Sequence, residues 1–478
     1  MAGISTDATF VVDRRSPVPI FRQIYERVRG AITDGQLRPG ERLPSARSLA
    51  GQLGAARGTV DVAYAMLAGE GWIVARAAIG TMVAPHLFRN ERVPATSGSV
   101  PPSLYRAGGP AIDPAPLAFR MGLPALDAFP RKLWARLVAR EARALSLADL
   151  VYPDPAGYWP LREAIAAYLA VARGIACAPQ QVFVTAGYQG ALGLIACTLI
   201  EPGDPVWFED PGYRRAREGL TAAGARLVPV PVDDEGMRIA DAIACAPQAR
   251  FAVVTPSHQS PLGVALSLTR RLALLSWASD VRAWIIEDDY DGEFHYAGRP
   301  LPALKSLDRS DVVFYAGSFS KVLLPSLRLG YVVVPNALVD RFRIACRAFH
   351  AGNAQLEQAV VARFMEEGHF PRHLKRMRDL YADRRAALAE ALATSFGDRL
   401  RIGLQSGGMH LLARPSGDTS DTSLVRHAEE QGLAPAALSR YSIEYDCGRG
   451  LLLSFTNIPA EKATEAAQAL WRAIGAWL

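Results

Sequence analysis

From Leu117 onward one pattern recurs: short apolar runs close on small or polar residues, and helical stretches alternate with them. The runs are "QVFVTAG", "DPVWFED", "FAVVTPS", "AWIIEDD" and "DVVFYAG"; "EAIAAYLAVA", "GALGLIACTL" and "RRLALLSWAS" have helical length and period. Such alternation predicts an α/β domain on a mostly parallel sheet, whose ligands gather at the carboxyl ends of the strands. After Leu338 the pattern turns to long helices, the short strands "GGMHLLAR" and "GLLLSFTN", and a last helix, which predicts a smaller α+β lobe. This places a domain over 117–478, with a large lobe over about 150–338 and a small lobe from the flanking segments. A chain of 478 residues, 50% of them hydrophobic, has the material for that core and for a second domain.

The second domain precedes it, over 1–84. Ile20, Phe21, Ile24, Val28 and Ile32 fall at helical spacing before "TDGQLRPGERLP" breaks the pattern. Ser45 is set to cap a short helix that runs to Leu53 and stops at Gly54. Another helix follows from Arg57 to Gly69, with Val60, Tyr64 and Leu67 on one face. Two short helices across a tight glycine turn make a helix-turn-helix. "WIVARAAIGTMVAP" then reads as two strands around a small-residue turn, the wing of a winged helix. Ten arginines against seven acids over 1–84 leave +3, half of the chain's +6, in agreement with an anionic partner.

Between the two, over 85–116, the chain turns to Pro, Ala, Ser and Gly without apolar periodicity, as in "VPATSGSVPPS". It reads as a linker, or else as a loop packed on the large domain. Cys177, Cys197, Cys245, Cys346 and Cys447 are scattered and never spaced as CxxC, so buried free thiols are expected and a disulfide framework or metal site is not. No apolar run reaches the roughly 18 residues of a membrane span, and "MAGISTDATFVVDRRSPVP" lacks the order of a secretory signal, so a cytoplasmic location is expected.

"GSFSKVLLPSLR" holds one of only five lysines, Lys321, behind the hydroxyls of Ser318 and Ser320 and seven residues before Arg328. A lone amine at a strand end suits imine chemistry, and pyridoxal 5'-phosphate (PLP) supplies both the aldehyde and the electron sink. That cofactor asks for a carboxylate at its pyridine nitrogen, a hydroxyl at its ring oxygen, an aromatic on its face and a phosphate cradle. Asp288 and Tyr290, two apart in "IIEDDYDGEF", offer the first two. Tyr213 in "FEDPGYRRA" offers the ring, and Ala186, Gly187 and Tyr188 ahead of a helix, with Arg328, offer the cradle. His258 and Gln259 in "SHQSP" either orient the cofactor or only build the turn, and His410 reads as a satisfied core histidine.

The stretch from "PVPIFRQIYERV" through "GQLRPGERLPSARSLA" to "TVDVAYAMLAGEGW" resembles the GntR-type winged helix-turn-helix of bacterial regulators. The resemblance implies that the second short helix enters the major groove of double-stranded operator DNA with Arg57 and Thr59, while Ser45 and Arg47 hold phosphates. Ala56 stands where that family usually has a polar residue, and the tip Ala77–Gly80 departs from its usual Gly-Ser-Gly. From Phe119 to about Ile458 the chain resembles the fold type I aminotransferases. "EDPGY", "TPSHQSPLG", "IIEDDYDGEF" and "GSFSKVLLPSLRLGY" are similar to the MocR/GabR group, which joins these two domains in this order. Many aminotransferases bind the substrate carboxylate with an arginine that opens a late strand; here Leu452 occupies that place. The resemblance implies that Arg215 and Arg440 take over, with Arg449 as an alternative. Leu262 stands where the group usually has a hydroxylated residue.

The resemblance implies a homodimeric, PLP-dependent transcriptional regulator that senses PLP itself or a small amino compound through an aldimine at Lys321. A catalytically active aminotransferase with an attached DNA-binding domain is the alternative, and transamination is compatible with either.

Overall fold

The structure is a computed structural model that describes residues 12–76, 80–85, 116–298, 302–350 and 352–478. The wing tip at 77–79 and most of the expected linker, 86–115, lie outside the described residues. The chain divides into two compact units, Met1–Ala107 and Gly108–Leu478, each with its own core.

In the first unit, α1 (Ile20–Thr33), α2 (Ala46–Leu53) and α3 (Arg57–Gly69) enclose Ile24, Val28, Leu49, Val60 and Leu67. Local chemistry fixes the turn between α2 and α3. The Ser45 hydroxyl accepts from Ser48 N at 3.2 Å and caps α2, and Gly54 ends it in the left-handed region at φ 58°. Arg14 donates to Gly54 O at 2.5 Å and pins the turn from outside. β1 (Ile73–Arg76) and β2 (Gly80–Val83) pair antiparallel with Ile73 opposite Val83, the ribbon that "WIVARAAIGTMVAP" predicts.

The second unit is built on an eight-stranded sheet. In chain order its strands are β3 (Val182–Thr185), β4 (Pro205–Asp210), β5 (Arg226–Asp233), β6 (Gly236–Met237), β7 (Phe251–Val254), β8 (Trp284–Asp289), β9 (Val313–Ser318) and β10 (Gly330–Val333). Their spatial order is β3-β10-β9-β8-β7-β4-β5-β6. The pairs β9/β8, β8/β7, β7/β4 and β4/β5 are parallel. Every residue of β3, β7 and β10 is buried, which is why these strands are continuous apolar runs. Helices α4 (Arg131–Ala144), α5 (Trp159–Ala172) and α6 (Gly187–Leu199) belong to this unit, and "EAIAAYLAVA" and "GALGLIACTL" lie in the last two. β10 runs antiparallel to both of its neighbours, so its first residue, Gly330, lies beside Thr185 and Ser318, where the parallel strands end.

A second, antiparallel sheet, β11 (Leu400–Gly403), β12 (His410–Pro415), β13 (Ala436–Ala437) and β14 (Leu451–Ser454), is ordered β11-β12-β14-β13. The long helix His369–Phe396 and the last helix Ala463–Ile474 share a core with it. This lobe is closed by chain from far upstream. Phe119 bridges to Ser454, Leu117 O accepts from Asn457 at 2.7 Å, and Leu123 O accepts from the Thr456 hydroxyl. The five cysteines are free, but only Cys346 is buried; Cys197 and Cys245 are exposed, contrary to the expectation of buried thiols. Both lie on helices whose outer faces meet solvent, and scattered spacing carries no signal of which face a thiol takes.

Candidate functional site

The carboxyl ends of β3, β4, β8 and β9 converge, and each delivers a side chain. Lys321 follows β9 by three residues, in a helical turn (Phe319–Val322) that the Ser318 hydroxyl caps by accepting from Ser320 N at 3.2 Å. Its Nζ donates to Gly122 O at 2.7 Å. Protein packed around this amine pulls its pKa down to about 8, against the opposing pull of the Asp291 and Asp288 carboxylates; Arg215 lowers it further. At neutral pH a usable fraction of the amine is unprotonated.

Asp288 is buried near the end of β8, and no basic side chain pairs with it among the described residues. Burial first, then Asp289, Asp291 and Glu209, hold its carboxyl well above the usual range, with Lys321 opposing. Tyr290, two residues on, lies 2.9 Å from His258 Nδ1. Burial and the neighbouring Asp291 and Asp288 keep its hydroxyl protonated. The Tyr188 hydroxyl is buried beside the Asp288 carboxyl, and burial followed by the Asp288 charge raises its pKa. The Tyr213 ring lies 6.2 Å from the Tyr188 ring, and burial pushes its hydroxyl to about 12.

Gly187 opens α6 at φ 75°, and a Cβ built there would stand 3.9 Å from Arg328 Nη1 and 4.0 Å from the Ser320 hydroxyl. The Ser320 hydroxyl and the exposed Arg328 guanidinium thus face one small space at a helix N-terminus. Arg328 Nη2 donates to Ala186 O at 3.0 Å, which aims the side chain there.

These features fit PLP on chemical grounds. The cup offers hydrogen-bond donors and one cation for a phosphate. The Asp288 carboxyl, whose pKa burial and the neighbouring acids raise, would ionise against a protonated ring nitrogen. Lys321 offers an amine close to neutrality.

Of the other expected residues, Gln259 builds the turn. Its amide donates to Pro211 O at 2.8 Å, and its oxygen accepts from Leu262 N at 3.0 Å. His410 is buried, with Nε2 at 2.9 Å from Pro261 O and its pKa lowered to about 4 by burial, so it is neutral and satisfied. Leu452 packs with Leu412 and Leu438, against which Leu262 and Met121 also rest. Arg215 is exposed yet acts on Lys321, and Arg440 is exposed beside Tyr441, whose carbonyl accepts from Gly212 N at 3.2 Å. Arg449 instead meets Asp418 at 3.4 Å on the surface. Sequence reasoning missed Gly122, 199 residues from Lys321, for which no local signal exists. It also missed Asp291, although that residue stands in the same acidic run as Asp288.

In the first unit Ser45, Arg47, Arg57 and Thr59 stand on or beside the first turns of α2 and α3, with all but Thr59 exposed. Arg57 Nε lies 3.5 Å from Asp61.

Residues 132–470 match the family described as Aminotransferase class I and II, and residues 21–83 match the gntR family of bacterial regulatory proteins. The chain is 39% identical to the probable rhizopine catabolism regulatory protein MocR of Rhizobium meliloti, over 96% of this chain and 94% of that one. It is 32% identical to the pyridoxine biosynthesis transcriptional regulator PdxR of Corynebacterium glutamicum, over 94% of each. Among solved structures, Pyrococcus horikoshii kynurenine aminotransferase in complex with PMP superposes with a TM-score of 0.69 at 27% identity, over 76% of this chain and 91% of that one. The chain therefore belongs to the MocR-type regulators, in which a GntR-type winged helix that binds operator DNA is joined to a PLP-dependent domain of the class I and II aminotransferase fold.

Proposed function

We propose that the second unit is the sensor of this regulator, and that occupancy at Lys321 is what it reports to the operator-binding unit. The observation that carries the reading is the Lys321–Gly122 hydrogen bond. Gly122 lies in the first described segment after 86–115, the same segment that is clasped to β14 through Phe119 and Leu123. A ligand that engages the amine must take it from Gly122 O, so a change at the cofactor site is felt where the chain leaves the sensor.

In this reading Lys321 holds PLP, Asp288 faces the ring nitrogen, and Tyr290 faces the ring oxygen with His258 behind it. Tyr213 lies along the ring, while Ala186, Gly187, Tyr188, Ser318, Ser320 and Arg328 surround the phosphate. PLP supplies an aldehyde for an amine to condense with and an electron sink. The effector is PLP itself or a small amino compound, with Arg215 in the first turn of the helix Arg214–Ala222 and Arg440 in the helical turn Leu438–Tyr441 for any anionic group it carries. Arg57 and Thr59 read the operator while Ser45 and Arg47 position the phosphates, and such work places the protein in the cytoplasm.

A homodimer is supported by an exposed apolar stretch: Leu147, Leu150, Val151 and Tyr152 are each at least 67% exposed.

The test is operator affinity at fixed salt for cofactor-free, PLP-loaded and amine-treated protein. Three different affinities are expected. Identical affinities in all three states would remove the sensor reading, and multiple turnover with an oxo acid would put the aminotransferase in its place.

A further inference from the structure

A cavity of about 190 Å³ adjoins Tyr290, lined in part by Arg173, Ser257, His258, Asp291, His295 and Ser406. Three buried polar atoms of its lining have no protein hydrogen-bond partner among the described residues: Arg173 Nε, His258 Nε2 and His295 Nε2. They include both donors and acceptors. Water is the ligand that serves both, and the cavity has room for several molecules. Its lining reaches the surface, since Ser406 and Ala297 are exposed.

His258 forms the inner wall, and its position is fixed. A Cβ on Gly408, at φ 89°, would come within 2.0 Å of the imidazole, so the ring lies flush against backbone that only glycine provides. Nδ1 is thereby held 2.9 Å from the Tyr290 hydroxyl and 3.2 Å from Asp291 Oδ2. His410 of β12 stands 5.6 Å away ring to ring, neutral and donating to Pro261 O, while Arg173 is paired with Asp289. Either neutral tautomer of His258 leaves Nε2 in need of a partner in the cavity.

We propose that His258 is the positioning residue of Tyr290 and relays its proton, and that the cavity is the water-filled port of this relay. When Tyr290 Oη gives up its proton on the ring side, a cavity water protonates His258 Nε2, and the resulting imidazolium passes its Nδ1 proton to Oη. The solvent proton that enters at Ser406 balances the one delivered, and Asp291 stabilises the transient imidazolium. This rests on the reading of Tyr290 as the partner of the ring oxygen.

The test blocks the port without touching the relay residues. Ala265→Leu puts three carbons into the cavity lining, and Ser406→Phe caps the exposed mouth. In PLP-loaded protein, a pH jump followed on the visible band is expected to relax about tenfold more slowly in either variant, with the static midpoint unmoved. In cofactor-free protein, nitrogen NMR is expected to show slower solvent exchange of the His258 ring proton. His258→Asn keeps a polar group at the Nδ1 position and lacks Nε2; it should relax as slowly as the plugged variants. Unchanged relaxation and exchange in a folded Ser406→Phe variant would overturn the relay. Absence of any visible band would instead count against the cofactor reading, with the NMR exchange still deciding the port.

Discussion

An amine attacks a carbonyl only in its neutral form, so the depressed pKa of Lys321 has a kinetic consequence. The rate at which PLP develops its visible band is expected to rise with pH and level off above about 8, where the amine is neutral. An ordinary surface lysine would keep accelerating well past that point. Asp291→Asn removes the first carboxylate that holds the amine's pKa up, and should shift this midpoint to lower pH. Lys321→Ala should lose both the band and trapping by borohydride. Glu209 offers a prediction on stability. Buried and accepting from Thr255 and Gln259, it has a pKa raised to about 7, chiefly by burial. A carboxyl raised in the folded state stabilises it fully below its unfolded pKa, and that contribution disappears as pH rises through about 7. Glu209→Gln should therefore flatten the pH dependence of cofactor-free unfolding between about pH 4.5 and 7, by up to about 1.4 kcal/mol per pH unit. An unchanged slope in denaturant titrations would count against a protonated Glu209.

At the scale of elements, α2 and α3 separate stability from recognition. Ser45→Ala removes a cap and should cost about 1 kcal/mol in unfolding of the first unit. Arg57→Ala removes an exposed charge whose protein partner, Asp61, is only a surface pair. Thermal stability should hold within error, while operator binding weakens by about 1–3 kcal/mol and base preference relaxes at the position Arg57 reads. The same scale shows what was legible. Ser45, Gly54 and the apolar face of α3 fix the helix-turn-helix through local chemistry, so the sequence alone places it. β3, β4, β7, β8 and β9 are legible because strands buried on both faces carry continuous apolar runs, which in β4 and β8 close on acids. β5 escaped because Pro229 and Pro231 interrupt it, and β10 because its reversed direction depends on neighbours distant in sequence. In the site, Asp288, Tyr290 and Lys321 stand in specific motifs. Gly122 contributes only a carbonyl, which every residue possesses, and so nothing in its side chain marks it.

For the molecule as a whole, the exposed stretch from Leu147 to Tyr152 should be covered in solution. Sedimentation is expected to give twice the chain mass, and Leu150→Asp to return it to the monomer mass. The clasp that closes the small lobe has another consequence, one of biosynthetic order. The Thr456 hydroxyl reaches back 333 residues to Leu123, and Phe119 pairs with Ser454 only once almost the whole chain exists. The core of the first unit, from Ile24 to Val83, is complete before any of that span has been synthesised. Each new copy thus acquires its grip on DNA before it acquires the means to be told to let go. Chains halted before β14 are expected to occupy the operator whatever the effector concentration, which footprinting with a fragment ending at Val339 would show.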